Sequence, residues 1–160
     1  DAGFRTAHHG HGIAPPEGAG GVAVPIETPT KQSDTAAATL LPVSQAALSL
    51  QAILVSHEPV EPAFGYRLDY KNRSVVISGD TKFDNNLLVV SQNADLLIHE
   101  VLDPEMILQM ADVLDAKGLN HLGKVFRDVP DYHTTPEETA RIAADANVEE
   151  LLMHHIVPPL

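Results

Sequence analysis

The sequence predicts a layered α/β fold, and three observations carry the prediction. Apolar, β-branched runs recur through residues 46–160, and each stops at a polar tip. Two helix openings of the cap-then-proline kind, Asp103-Pro104 and Thr135-Pro136, stand between them. The order is a hairpin first and strand–helix–strand units afterwards, the alternation of a sheet layered with helices. At 160 residues, 44% hydrophobic and 20% charged, the chain suits one globular domain. Aromatics make up only 4%, so its core must be aliphatic.

Residues 1–45 read as a loop-rich peripheral segment, dense in Gly and Pro and without a sustained hydrophobic period. Its His8-His9-Gly10-His11 reads as a solvated loop, because a His-x-His-x-Asp-His metal box would need Asp and His where Gly12 and Ile13 stand. Residues 46–160 carry the sheet and helices. The first strand, Ala46 to Ser56, alternates Leu48, Leu50, Ala52 and Leu54 and runs into His57. A second, Phe64 to Tyr70, turns at Lys71-Asn72 into a third, Ser74 to Ile77, which stops at Ser78-Gly79-Asp80-Thr81. Phe83 to Asn93 predicts a helix with Leu87, Leu88, Val89 and Val90 inward, and Ala94 to Ile98 a short strand ending at His99-Glu100. Asp103-Pro104 opens a helix to Ala116, Gly118 breaks it, and Leu119 to Val125 forms a further turn or two. Thr135-Pro136-Glu137-Glu138 opens another helix to Ala146. Glu150 to Met153 is the last strand, delivering His154 and His155.

Composition excludes several chemistries. Without cysteine there can be no disulfide and no thiolate metal site, so a metal must rest on imidazole and carboxylate. Ten Lys and Arg against 22 Asp and Glu give a formal net charge of −12. That balance argues against a broad phosphate-binding surface, and so against nucleic acid as a partner beside a small-molecule substrate, while leaving a local basic pocket open. No apolar run is long enough to span a bilayer, which argues against a membrane. No secretory signal opens the chain, so the cytoplasm and the periplasm both remain open, as does an oligomer.

Four tips carry candidate ligands in chain order: His57, Asp80, His99-Glu100 and His154-His155, with His133 before a helix cap as a fifth. A single His at a strand end is usually satisfied structurally, and Gly79-Asp80-Thr81 alone is an ordinary turn. Several such tips in succession point to a metal centre, since zinc and related ions take neutral imidazole and carboxylate.

Five stretches in order resemble the metallo-β-lactamase superfamily, and within it the ribonuclease Z-like branch. They are Ser56 to Arg67, Ser74 to Thr81, Leu97-Ile98-His99-Glu100-Val101, Tyr132 to Ala140, and Leu151 to Ile156. The resemblance implies the C-terminal half of an αββα sandwich. It implies two divalent ions, zinc first with manganese or iron as alternatives, held by His57, Asp80 and His155, with Asp80 bridging. His154 falls second, as a supporting or packed residue. Glu100 and His133 match the pair that relays a proton to the leaving group, so the implied catalytic residues are Asp80, Glu100 and His133. For Glu100, a carboxylate satisfied by helix-cap amides is an equal alternative.

The implied activity is a hydrolase using metal-activated hydroxide on a small ester, lactone or phosphodiester. A tRNA 3′-end endonuclease and a non-catalytic binding domain are the competing readings. Three departures bear on them. The His-x-His-x-Asp-His box is absent, so the chain is expected to be the C-terminal portion of a larger protein with an incomplete metal cage. Only Leu68 to Arg73 separate the strands between which the branch inserts its tRNA-gripping arm, and Val101-Leu102 replace Ala-Thr. A half-sandwich is also expected to leave the apolar face of its sheet open.

Overall fold

The computed structural model describes residues 38–39 and 48–159, and the histidines at 8, 9 and 11 lie outside them. One sheet holds six strands in sequence order: β1 (Ala38–Thr39), β2 (Leu48–Val55), β3 (Ala63–Tyr70), β4 (Arg73–Ile77), β5 (Leu96–Leu102) and β6 (Glu150–Val157). The first four pair antiparallel, and β4, β5 and β6 run parallel. Helix α1 (Asn85–Val90) connects β4 to β5. Helices α2 (Pro104–Ala116), α3 (Asn120–Asp128) and α4 (Pro136–Asp145), with a 3₁₀ turn at Val129–Tyr132, connect β5 to β6. The layered α/β prediction holds. Within the stretch expected to be peripheral, Ala38–Thr39 adds a short edge strand to β2.

Local chemistry explains the elements. Lys71 and Asn72 take φ of 47° and 63°, so the two-residue hairpin is built from left-handed residues whose twist suits paired strands. Asp95 ties the start of β5 to β4, accepting from the Ser74 amide at 2.6 Å and its hydroxyl at 2.9 Å. Asp84 caps α1 through the Asn86 and Leu87 amides. Thr135 and Glu138 form a reciprocal capping box on α4.

Several boundaries differ from the sequence expectation. Helix α1 has six residues rather than eleven, because the Asp84 cap starts it late and Ser91 ends it. Val89 points outward and is 61% exposed, while Leu87 is fully buried. Strands β5 and β6 run past their expected ends, so His99, Glu100, His154 and His155 lie within strands instead of beyond them. Continued backbone pairing between β5 and β6 overrides the polarity of these side chains, which alone suggested loops.

The core lies on one face of the sheet. Ile53, Val55, Val76 and Leu97 meet Leu87 of α1 and Ile142 of α4, with Ala94 closing the cluster. Each such large aliphatic contributes about 1.5–3 kcal/mol on burial. The opposite face carries Tyr66, Leu68, Tyr70, Ile77 and Leu152, all partly open among the described residues. No helix among those residues is long and apolar enough to cross a membrane.

Candidate active site

Strand direction gathers the site. Two antiparallel steps from β2 to β4 make them point the same way, and β5 and β6 run parallel to β4. The C-terminal ends of β2, β4, β5 and β6 therefore share one edge, which brings together His57, Asp80, Glu100 and His155. His133 arrives from the segment before α4.

At the buried floor, His133 Nδ1 lies 3.0 Å from Glu100 Oε1. Glu100 is fully buried and His133 nearly so. The same Oε1 accepts from the backbone amides of Thr81, at 3.1 Å, and Thr134, at 3.2 Å. Both readings of Glu100 thus describe part of it: one oxygen meets amides beside a helix cap and also the imidazole. Oε2 is buried without a hydrogen-bond partner among the described residues. The Glu100 backbone is held as firmly, its amide donating to Ser78 Oγ at 3.0 Å and its carbonyl lying 2.6 Å from His99 Nδ1.

At the open rim, His155 Nδ1 lies 3.1 Å from Asp80 Oδ1, and both side chains are about half exposed (46% and 47%). Asp80 follows Gly79, whose φ is +64° and whose added Cβ would collide with the Phe64 carbonyl oxygen. His155 also stands in the left-handed region, at φ +45°, where the β5–β6 register shifts. Glu100 faces His154 and Val101 faces Ile156, so His155 is the extra residue of a bulge. A bulge re-aims a side chain at a strand end, and left-handed backbone at a bulky residue costs about 1–3 kcal/mol, a strain that concentrates at functional sites.

His57 closes the arrangement. Its Nδ1 lies 2.8 Å from the Tyr132 carbonyl, so that nitrogen carries the proton and Nε2 keeps the lone pair. Its ring packs edge-on to Tyr132 and His133, with centroids 5.3 and 5.1 Å away, and His133 stands 5.9 Å from His155. The five residues singled out in the sequence are therefore neighbours: His57, His133 and His155 in ring succession, Glu100 below and Asp80 at the rim.

These residues fit a divalent ion. Imidazole and carboxylate are the donor types zinc and its neighbours accept, the carbonyl behind His57 fixes the tautomer a ligand needs, and one buried Glu100 oxygen meets no partner among the described residues. The tightest trio differs from the one the sequence suggested. Donor atoms of Glu100, His133 and His155 lie within 4.8 Å of one another, whereas His57 reaches His155 through His133. His154 pairs with Glu100 across the strands, and its Nε2 is buried without a partner among the described residues. His99 is fully buried, and desolvation lowers its pKa, so it is held neutral. Sequence reasoning did not single out Thr81, Thr134, Ser78 or Tyr132. Their neighbourhood to the motif histidines was visible, but contacts with residue separations of 19 to 75 were not.

Comparison with known proteins places this arrangement. The sequence profile of a beta-lactamase superfamily domain matches residues 7–156. The chain belongs to the metallo-β-lactamase superfamily. Ribonuclease Z of Mycobacterium avium (strain 104) is 31% identical over 160 residues, all of this chain and 48% of the relative. A putative ribonuclease Z of Mycobacterium tuberculosis (strain CDC 1551 / Oshkosh) is 28% identical over the same 160 residues, 60% of its length. The chain spans about half the length of the curated relatives it matches. Among solved structures, human tRNase Z, short form, shares the fold with a TM-score of 0.54 at 21% identity, over 78% of this chain and 40% of that one. The superfamily, its ribonuclease Z-like branch and the fold expected from the sequence are thus borne out. The family implies divalent metal ions and, with the named relatives, supports an enzyme of the hydrolase type.

One expectation is overturned. A small-molecule substrate, with nucleic acid argued against, conflicts with relatives named ribonuclease Z. The inference from a charge of −12 failed because net charge is a sum over the chain. Phosphate binding depends on the local field, and bound cations are often the largest local charges in such a site.

Proposed function

We propose that this chain forms the C-terminal part of the active centre of a metal-dependent ribonuclease of the ribonuclease Z type, which hydrolyses a phosphodiester in RNA, with precursor tRNA as the substrate class. The buried Glu100–His133 pair, set beside the half-exposed Asp80–His155 pair, carries the reading. In it Asp80, His155 and His57 would hold the metal ions, zinc first, with Asp80 as the ligand they share. When bound, the ions would polarise the phosphoryl oxygens and make water acidic enough to attack near neutral pH.

The residues of the chain do the rest. Glu100 accepts a hydrogen bond from His133 Nδ1–H, which fixes the ring and leaves Nε2 to face reaction chemistry. As an imidazolium, His133 gives its Nε2 proton to the departing alkoxide oxygen when the P–O bond breaks, and Glu100 stabilises the cation beforehand. Proton transfer of this kind contributes about 10²–10⁴-fold. The His57 ring, braced by the Tyr132 carbonyl, walls the His133 side of the cleft.

The test uses the intact protein, with metal measured by plasma mass spectrometry and cleavage by gel on a precursor tRNA transcript. Asp80→Ala is expected to release metal and abolish cleavage. His133→Ala is expected to keep metal and lower kcat by about 10²–10⁴-fold. An intact protein that binds no metal, or that hydrolyses carboxyl esters and leaves RNA untouched, would overturn the proposal.

A further inference from the structure

Resting on the reading above, we infer that Thr134 is a positioning residue whose hydroxyl locks the Asp80 loop to the His133 segment around Glu100. Thr134 is fully buried, and its Oγ1 donates to the Thr81 carbonyl at 2.5 Å. Thr81, equally buried, immediately follows Asp80, and Thr134 immediately follows His133. One hydrogen bond thus joins the neighbour of the rim carboxylate to the neighbour of the buried imidazole, across 53 residues of sequence.

Two further contacts close the frame. The amides of Thr81 and Thr134 both point at Glu100 Oε1, so the two segments clasp the same oxygen that holds His133. The Lys82 amide donates to the Ser56 carbonyl at 2.9 Å, and Thr81 Oγ1 lies between the Lys82 carbonyl, at 2.7 Å, and the same Ser56 oxygen, at 3.2 Å, which carries the frame to the residue before His57. The Glu100 amide is meanwhile held by Ser78 Oγ and its carbonyl by Thr139 Oγ1 at 3.4 Å. Loops alone would let Asp80 and His133 drift relative to each other. In this frame their separation is set by short, buried polar contacts, which cannot slacken without leaving the Thr81 carbonyl unpaired.

Positioning through such a contact has a recognisable signature. Misplacing a reacting group by about 1 Å can cost 10²-fold in rate while leaving substrate affinity alone. Thr134→Val keeps the shape and removes the hydroxyl, Thr134→Ala removes it without a methyl in its place, and Thr134→Ser restores it. In the intact, metal-loaded protein, the Val and Ala variants are expected to lower kcat on precursor tRNA by about tenfold to a hundredfold with KM unchanged, and Ser to recover most of it. The ¹⁵N shifts of the His133 ring report which nitrogen carries the proton. The signal of an Nδ1–H hydrogen-bonded to Glu100 is expected to be lost in Val and Ala and regained in Ser. A lowered melting temperature with unchanged kcat and ring shifts would overturn the inference, as would a Ser variant no better than Val. Should the wild-type protein cleave no RNA, the ribonuclease reading fails, and the ring shifts still decide the role of Thr134.

Discussion

Gly79 and His155 occupy the same region of backbone space for different reasons. Gly79 is required there, because φ is +64° and the Phe64 carbonyl fills the place of a side chain. Gly79→Ala is expected to cost at least about 2 kcal/mol, combining left-handed strain with the collision. Chemical denaturation would show it, and a midpoint unchanged with the same slope would contradict it. His155 tolerates φ +45° because the bulge swings its ring toward Asp80. Here the sequence was partly legible: the doubled His154-His155 marked the position, but alternation alone would send neighbours to opposite faces. Which one reaches Asp80 depends on a register shift that no local pattern announces.

Helix α1 shows how short elements depend on their ends. Six residues make a helix too short to stand alone, so its cap and its core contact carry it. Leu87 supplies the core contact and Asp84 the cap: Oδ1 caps the Asn86 and Leu87 amides, while Oδ2 accepts from the Ser56 amide and hydroxyl beside His57. Asp84→Ala is expected to destabilise by about 1–2 kcal/mol. It should also loosen the His57 segment, seen as faster amide exchange there, and unchanged exchange at residues 54–58 would sink the second claim. Leu87→Ala removes the fully buried contact between α1, the sheet and α4 and is expected to cost about 2–5 kcal/mol in the same assay. The Asp103-Pro104 and Thr135-Pro136 openings were readable because capping is local, written within four residues. The length of α1 and the extension of β5 and β6 were not, because neighbouring strands decide them.

At the scale of the whole molecule, a local charge pair, and not the net charge, gives a prediction for acid stability. Arg73 and the Ser74 amide and hydroxyl lower the Asp95 pKa from 3.8 to about 2. A depressed carboxyl stabilises the fold above its unfolded value, and that stabilisation is lost as pH falls from about 3.8 toward 2. Asp95→Asn is therefore expected to narrow its stability gap to wild type over that window, measured by melting at pH 5, 3 and 2. A gap independent of pH would contradict this. The open sheet face makes a second claim at this scale. Tyr66 and Leu68 lie on it, 39% and 36% exposed, and the chain spans about half the length of its relatives. The 160-residue chain on its own is expected to self-associate, and Leu68→Lys to reduce that in light scattering. A monodisperse wild-type monomer would contradict it.

Fold class, the order of the His- and Asp-bearing strand tips and the superfamily could be read from residues 46–160, because strand periodicity, helix caps and motif spacing are local and survive without coordinates. The pairing of Glu100 with His133, of Asp80 with His155 and of Thr134 with Thr81 could not. Each joins residues that only strand direction, a bulge and the packing of α4 bring to one edge of the sheet. The proposed substrate class escaped both composition and charge, since a phosphodiester would be recognised by the field at one cleft and not by the sum over the chain.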